Sequence, residues 1–415
     1  MIRAIASVAA LLTGVAILLS GQGLQGVLLP VRAAMEEFSN FAIGLFGATY
    51  FLGFAIGCLR GPRLVQRVGH VRVFAAMTAV ASATPLLHGL WINLGAWTVL
   101  RFFSGFCFAV LYIVIESWLN EAATNDNRGR IFSAYVFINM TMLAVGQQML
   151  LLDDPAVMNL FALTSVLVSL AALPVVLSTG SSPRQVQDVR LDVPRLYRTS
   201  PAGMLGSLAS GLANGSFWAL APVFALSVSS DVRLAAWFMT AAVIGGAASQ
   251  WPLGALSDRI DRRYVMAMCT AFGIAVSVAI LALGEAPAPL VIVALGGLWG
   301  VAAFPLYSIA VAHSNDHAGP DEFVVVSSGL LLMYGIGAVI GPLAASGLMQ
   351  VLGAGGLYAF TGAIHLVLLI YLFIRRLRRS AAAADEHVAF AEALTAAHTA
   401  SQVYEREAEA EAEAS

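Results

Sequence analysis

Arg101, Gly105, Phe108, Tyr112 and Glu116 follow one another inside one apolar run, at +4, +7, +11 and +15 from the arginine. At about 100° per residue these positions fall within an arc of about 80°, so one helix face would carry a guanidinium, an aromatic ladder and a carboxylate. A charge at mid-depth of a bilayer costs at least ~2.5 kcal/mol, and such residues face a cavity or a partner by default. The two charges lie about 22 Å apart along the helix axis and cannot pair directly. Arg101 can bind an anionic group, tune a neighbouring carboxyl or snorkel to an interface. Glu116 can carry a coupling proton if desolvated, or pair with Arg128 or Arg130 at a gate.

Other chemistry is excluded by residue type. All 22 basic residues are arginine, so Schiff-base lysines and the lysine of a phosphate-binding loop are ruled out. Cys58, Cys107 and Cys269 lack paired spacing and read as small buried hydrophobes. His313 and His365 stand alone, read as hydrogen-bonded to a neighbour rather than as proton relays, and no His/Asp/Glu cluster has metal-ligand spacing. No metal, no cofactor and no catalytic residue is expected, and a nucleophile with its base is missing, so the chain does not read as an enzyme. A formal charge of −2 gives no basic surplus for nucleic acid.

The elements that must position these residues follow from composition. With 59% hydrophobic and 11% charged residues, against roughly 25% charged in a soluble domain, the chain reads as a polytopic all-α membrane protein. Apolar segments near 4–29, 40–60, 71–90, 94–119, 130–152, 156–178, 201–227, 233–257, 264–283, 288–313, 322–351 and 355–374 predict twelve transmembrane helices. With the N-terminus inside, 19 arginines fall on the cytoplasmic side and only Arg32, Arg101 and Arg233 on the other. That asymmetry predicts both termini in the cytoplasm. The first run is too long and too rich in Gly and Gln for a secretory signal. The expected address is a bacterial inner (plasma) membrane, crossed many times by a monomer.

The second half repeats the first. Gln22-Gly23 matches Asn214-Gly215, Pro30 matches Pro222, the 66–69 loop matches 258–261 and Gly105 matches Gly297, each 192 residues apart. Two six-helix bundles follow, at 1–178 and 201–376, joined by a polar linker at 179–200 and ending in an acidic Ala/Glu-rich tail at 377–415. An even helix number per half keeps the repeats in one orientation and predicts a cavity between them at mid-membrane. The tail should be frayed or disordered, with docking onto the basic loops as its alternative.

Gly254-Ala255-Leu256-Ser257-Asp258-Arg259-Ile260-Asp261-Arg262-Arg263 resembles the G-x-L-x-D-R-x-G-R-R loop of the major facilitator superfamily (MFS), with Asp261 in place of the second glycine. The first-half copy, with Pro62, Leu64, Gln66, Arg67 and Gly69, lacks the leading glycine and the acid. Arg101 to Gly105 is similar to the family's fourth-helix R-x-x-x-G, and Glu121 with Arg128-Gly129-Arg130 to its acid-to-arginine pattern. Within the family, Ile115 to Asn120 and Gly146-Gln147 resemble a bacterial YcaD-like branch of unassigned substrate.

The resemblance implies the MFS fold and secondary transport of a small-molecule substrate by alternating access in the lipid bilayer, coupled to an ion gradient, protons first. It makes Gln22, Gln25, Arg101, Tyr112, Asn139, Gln147, Asn214, Trp218, Trp299 and Tyr307 cavity candidates, with Gln22 and Asn214 as facing amides. Glu116, Glu121, Arg128, Arg130, Arg67, Gly69, Gly254, Asp258, Arg259, Arg262 and Arg263 are the coupling or gating candidates. Symport and antiport both stay open. The alternatives are a drug or metabolite efflux antiporter of the same fold and a non-transporting membrane sensor or assembly protein.

Overall fold

Twelve apolar runs become long helices because a bilayer offers the backbone no other hydrogen-bond partner, and local caps fix where several of them start. In a computed structural model of the chain, residues 2–123, 127–176, 193–283, 288–318, 323–378 and Phe390 are described. The first six helices are α1 (Ile2–Met35), α2 (Asn40–Val68), α3 (His70–Leu90), α4 (Leu94–Ala122), α5 (Arg128–Gln148, running into a 3₁₀ turn at Met149–Leu152) and α6 (Asn159–Leu170, continued by Ala172–Val176). The second six are α7 (Pro201–Val228), α8 (Val232–Ser257), α9 (Arg262–Ala282), α10 (Pro289–Asn315), α11 (Phe323–Leu352) and α12 (Gly356–Arg378). All twelve are long and apolar enough to cross a membrane, and no strand occurs among the described residues. Ser39, Asn93, Ser200, Asp231 and Asp261 accept from the first-turn N–H groups of α2, α4, α7, α8 and α9.

The helices form two six-helix bundles with the same internal pairings. α2 lies along α4, α1 along α5 and α3 along α6, and the second bundle repeats this with α8 on α10, α7 on α11 and α9 on α12. Pro30 and Pro222, which the repeat aligns, both sit inside their helices, α1 and α7. The bundles meet chiefly where α2 packs on α11 and α5 on α8. Lipid is as apolar as leucine, so such contacts depend on close packing of small residues. At Gly44 of α2 a side chain would collide with Ser346 and the Pro342 carbonyl of α11, which is why glycine stands there.

The segment expected as a linker is not wholly unstructured. Its end forms a short helix, Val193–Thr199, whose Leu196 is buried with Val311, Val326, Leu330 and Met333 of α10 and α11. The linker residues 179–192 lie outside the described residues, as do residues 379–415 of the tail apart from Phe390.

Candidate functional site

Between the bundles lies a cavity of about 660 Å³. One end is shut by contacts across the halves. There the Gln148 amide donates to Thr240 Oγ1 at 2.7 Å and to the Ala236 carbonyl at 3.2 Å, and Thr240 donates to Gln147 Oε1 at 3.2 Å. Gly44 and Gly47 bring α2 against α11 and α7 at the same end. The other end is lined by the exposed Arg60 and Arg63 of α2 and by Ser328 and Leu331 of α11.

The first bundle supplies a polar wall. Arg101, seven residues into α4, holds its guanidinium carbon 4.2 Å above the Tyr50 ring of α2. Gln22 of α1 ties two helices together, its amide donating to the Tyr50 hydroxyl at 3.0 Å and its Oε1 accepting from Tyr112 at 2.7 Å. Asn139 of α5 stands beside the hydroxyls of Tyr112 and Tyr135, and Tyr135 donates to Glu116 Oε1 at 3.2 Å. A sequence of phenols and amides therefore joins Glu116 to Arg101, although the two charges are far apart. The second bundle's wall is aromatic and apolar, with Trp218, Met239, Tyr307, Leu332, Tyr334 and Ala338. Trp218 is held in place by stacking on Phe304, with centroids 5.3 Å apart and planes 3° from parallel.

Gln22, Gln25, Arg101, Tyr112, Glu116, Asn139, Gln147, Trp218 and Tyr307 thus come together on one cavity. Asn214 and Trp299 do not line it. Asn214 is buried beside Tyr334, and Trp299 is fully buried, stacked on Phe217 at 4.1 Å. The Gln22–Asn214 pair of facing amides is accordingly not formed. Equal register in the repeat does not give equal exposure: Gln22 lines the cavity and Asn214 is buried. The α4 face also splits: Gly105 packs against the α2 backbone and Phe108 is in the first bundle's core, while Ala109 and Ile113 reach the cavity. An arc of about 80° is wide enough to span a cavity edge and a helix interface. Tyr50, Phe54, Tyr135 and Tyr334 were not singled out by sequence; an aromatic residue in an apolar run carries no mark of which way it faces.

The loop motif is built differently in its two copies. Arg262 is fully buried, its Nε donating to Asp316 Oδ2 at 2.7 Å and Nη2 to Asp316 Oδ1 at 3.2 Å. Its Nη1 reaches Ser257 Oγ at 3.0 Å and Asp258 at 3.2 Å, so one guanidinium joins the ends of α8, α9 and α10. Asp261, in the glycine position, caps α9 and pairs with Arg263 at 2.8 Å. Burial opposes its ionisation, but the donors of Arg263 outweigh that and hold the carboxyl below the usual range. The Asp258 carboxylate also accepts from the Phe390 backbone at 3.0 and 3.2 Å. The ring of Phe390 covers Gly254, where a side chain would collide with it.

In the first copy Arg67 is exposed, with Gly69 at the α2–α3 junction. Arg259, Arg130 and Glu121 are exposed as well, and the Arg128 side chain lies outside the described residues. Glu116, for which Arg128 or Arg130 was the expected gate partner, is met among the described residues by Tyr135. His365 is fully buried, away from the cavity, and neither ring nitrogen has a hydrogen-bond partner, contrary to expectation. No group of three or more His, Cys, Asp or Glu able to hold a metal occurs among the described residues.

The sequence matches the profile of the Major Facilitator Superfamily over residues 11–189 and 203–403. It is 28% identical over 367 residues to the uncharacterized MFS-type transporter YcaD of Escherichia fergusonii, covering 87% of this chain and 94% of that one. An uncharacterized MFS-type transporter of Yersinia enterocolitica is also 28% identical, over 83% of this chain and 89% of its own length. The fold is shared with the crystal structure of the nucleoside transporter NupG, at a TM-score of 0.76 and 14% identity, covering 89% of this chain and 98% of that one. It is shared too with a bacterial homologue of the lysosomal transporter Spinster in an inward-facing, unoccupied conformation, at a TM-score of 0.68 and 13% identity over 95% and 97% of the two chains. With two six-helix bundles around a shared cavity and a family match across both of them, this chain belongs to the major facilitator superfamily of membrane transporters.

Proposed function

We propose that this protein is a proton-coupled secondary transporter that carries a small solute across a bacterial inner membrane by alternating access, and is not an enzyme. The observation that carries the reading is Glu116, a buried carboxyl on the wall of a cavity shut at one end and open at the other. Its surroundings are Tyr112 on its own helix, Tyr135 of α5 and Cys58 of α2, none of which is a cation. A carboxyl so placed can take a proton when the cavity faces one side and release it when it faces the other. Arginine-rich faces favour the cytoplasm, and Arg60 and Arg63 at the open end support a cytoplasmic-facing cavity. The Gln148–Thr240 bonds and the Gly44 contact would be the outer gate, broken when the halves rock.

Purified protein in proteoliposomes, given a panel of candidate solutes and an imposed pH gradient, tests this. Gradient-driven accumulation of at least one solute is expected. Glu116→Gln should abolish accumulation while leaving exchange of that solute across the vesicle membrane intact. Wild-type coupling in Glu116→Gln removes this residue as the coupling carboxyl, and binding without any flux favours a sensor.

A further inference from the structure

Arg101 has no counter-charge of its own. Among the described residues no carboxylate pairs with it, and its Nε is buried without a hydrogen-bond partner. A charge that is half-buried on a cavity wall without a counter-ion is costly, and Glu116 is about 22 Å away along α4. The other arginines lining the cavity, Arg60 and Arg63, stand at its mouth. The Tyr50 ring, 4.2 Å from the guanidinium carbon, holds the group in place. A guanidinium held in this way offers a two-pronged donor edge, the geometry that suits a planar carboxylate.

The rest of the space asks for an apolar body. At about 660 Å³ the cavity is too large for an inorganic anion and suits an organic molecule. Trp218 and Phe54 bring aromatic rings to the lining, and Met239 and Leu332 add aliphatic surface. A second negative charge on the ligand would find no second cation at the depth of Arg101.

Building on the transport reading above, we propose that the substrate is an organic monocarboxylate with an apolar, ring-bearing body, its carboxylate held by Arg101 and its body lying against the aromatic wall of the second bundle. With the anion on Arg101 and a proton on Glu116 the site is neutral. Emptied, Arg101 balances an ionised Glu116, and it is neutral again. One proton then travels with one anion and the cycle moves no net charge.

The test is titration calorimetry on the purified full-length protein with benzoate, 4-hydroxybenzoate and indole-3-carboxylate, each beside its neutral primary amide. At least one acid should bind about tenfold or more tightly than its amide. Arg101→Gln should bring that ratio close to one, and Arg101→Lys should retain part of it. The comparison of acid with amide in the wild type needs no variant and stands even if Arg101→Gln does not fold. An amide that binds as well as its acid, no binding by any acid of the panel, or an undiminished preference in Arg101→Gln overturns the proposal. Preferential binding of an acid with no flux in vesicles would sink the transport reading and leave the anion site standing. Proton-driven flux of neutral solutes without any preference for acids would do the reverse.

Discussion

The two bundles share helix pairings and differ in where their charge is placed. In the first bundle two ions face the cavity, the half-buried Arg101 on Tyr50 and the buried Glu116 under Tyr135, linked through Gln22, Tyr112 and Asn139, while Arg32 pairs with Glu36 at the end of α1. In the second the buried ions are at the helix ends, with Arg262 locked between Asp316 and Asp258, and the cavity wall is aromatic and uncharged. The loop copies follow the same division, since the degraded copy belongs to the bundle whose charges work in the cavity. One scaffold therefore occurs twice, and the halves place their charges differently, on the cavity wall in the first and at the helix ends in the second.

The sharpest way to break this comparison is Glu116→Gln. It should abolish pH-gradient-driven accumulation, measured as uptake into proteoliposomes. Under the charge balance proposed above, an imposed membrane potential should leave wild-type uptake unchanged. Next comes Arg262→Met, which removes the two-pronged guanidinium contact to the buried Asp316 carboxylate and should cost about 3–5 kcal/mol of stability. Arg67→Ala in the exposed first copy should stay within about 0.5 kcal/mol. Thermal melts in detergent compare the two, and equal losses would erase the distinction between the loops. Trp218→Ala should weaken a ring-bearing ligand about tenfold with the coupling intact, read as a change in apparent affinity.

Phe390→Ala uncovers Gly254 and should cost roughly 1–3 kcal/mol, visible as a lower melting temperature. The smallest effect belongs to Asp261→Asn. Because the Asp261 carboxyl is held below its usual range, its contribution is present above an ordinary carboxylate pKa of about 3.9 and is lost as pH falls through the lowered value. Solvent screening keeps that contribution below about 1 kcal/mol. The variant should therefore lose the corresponding part of the wild type's stability above about pH 4 and show a flatter acid limb in melts.

How far the sequence could be read depended on what kind of signal each feature left. Arg101 and Glu116 were visible because an ion in an apolar run has few explanations. Tyr135 and Tyr50, which complete the site, were not, since a tyrosine in such a run is common and only its neighbours reveal its direction. Asn214 was misplaced by the repeat itself: it occupies the position equivalent to Gln22, yet lies beside Tyr334 rather than on the cavity. Asp316 escaped notice because its partner Arg262 is 54 residues away. Phe390 sits in a tail that reads first as frayed, with docking onto the basic loops as the alternative, and it is buried against α8.

Helix number, approximate helix ends, the duplication and the family were fixed by the sequence alone, because hydropathy, charge placement and loop motifs act over a few residues and do not depend on distant partners. Which end of the cavity is shut, which wall is polar, and that Arg101 and Trp218 face the same space depended on the tertiary structure. Those properties arise where helices far apart in the chain meet, through the rotation of each helix about its axis and the size of the side chains between them, and no local pattern records either.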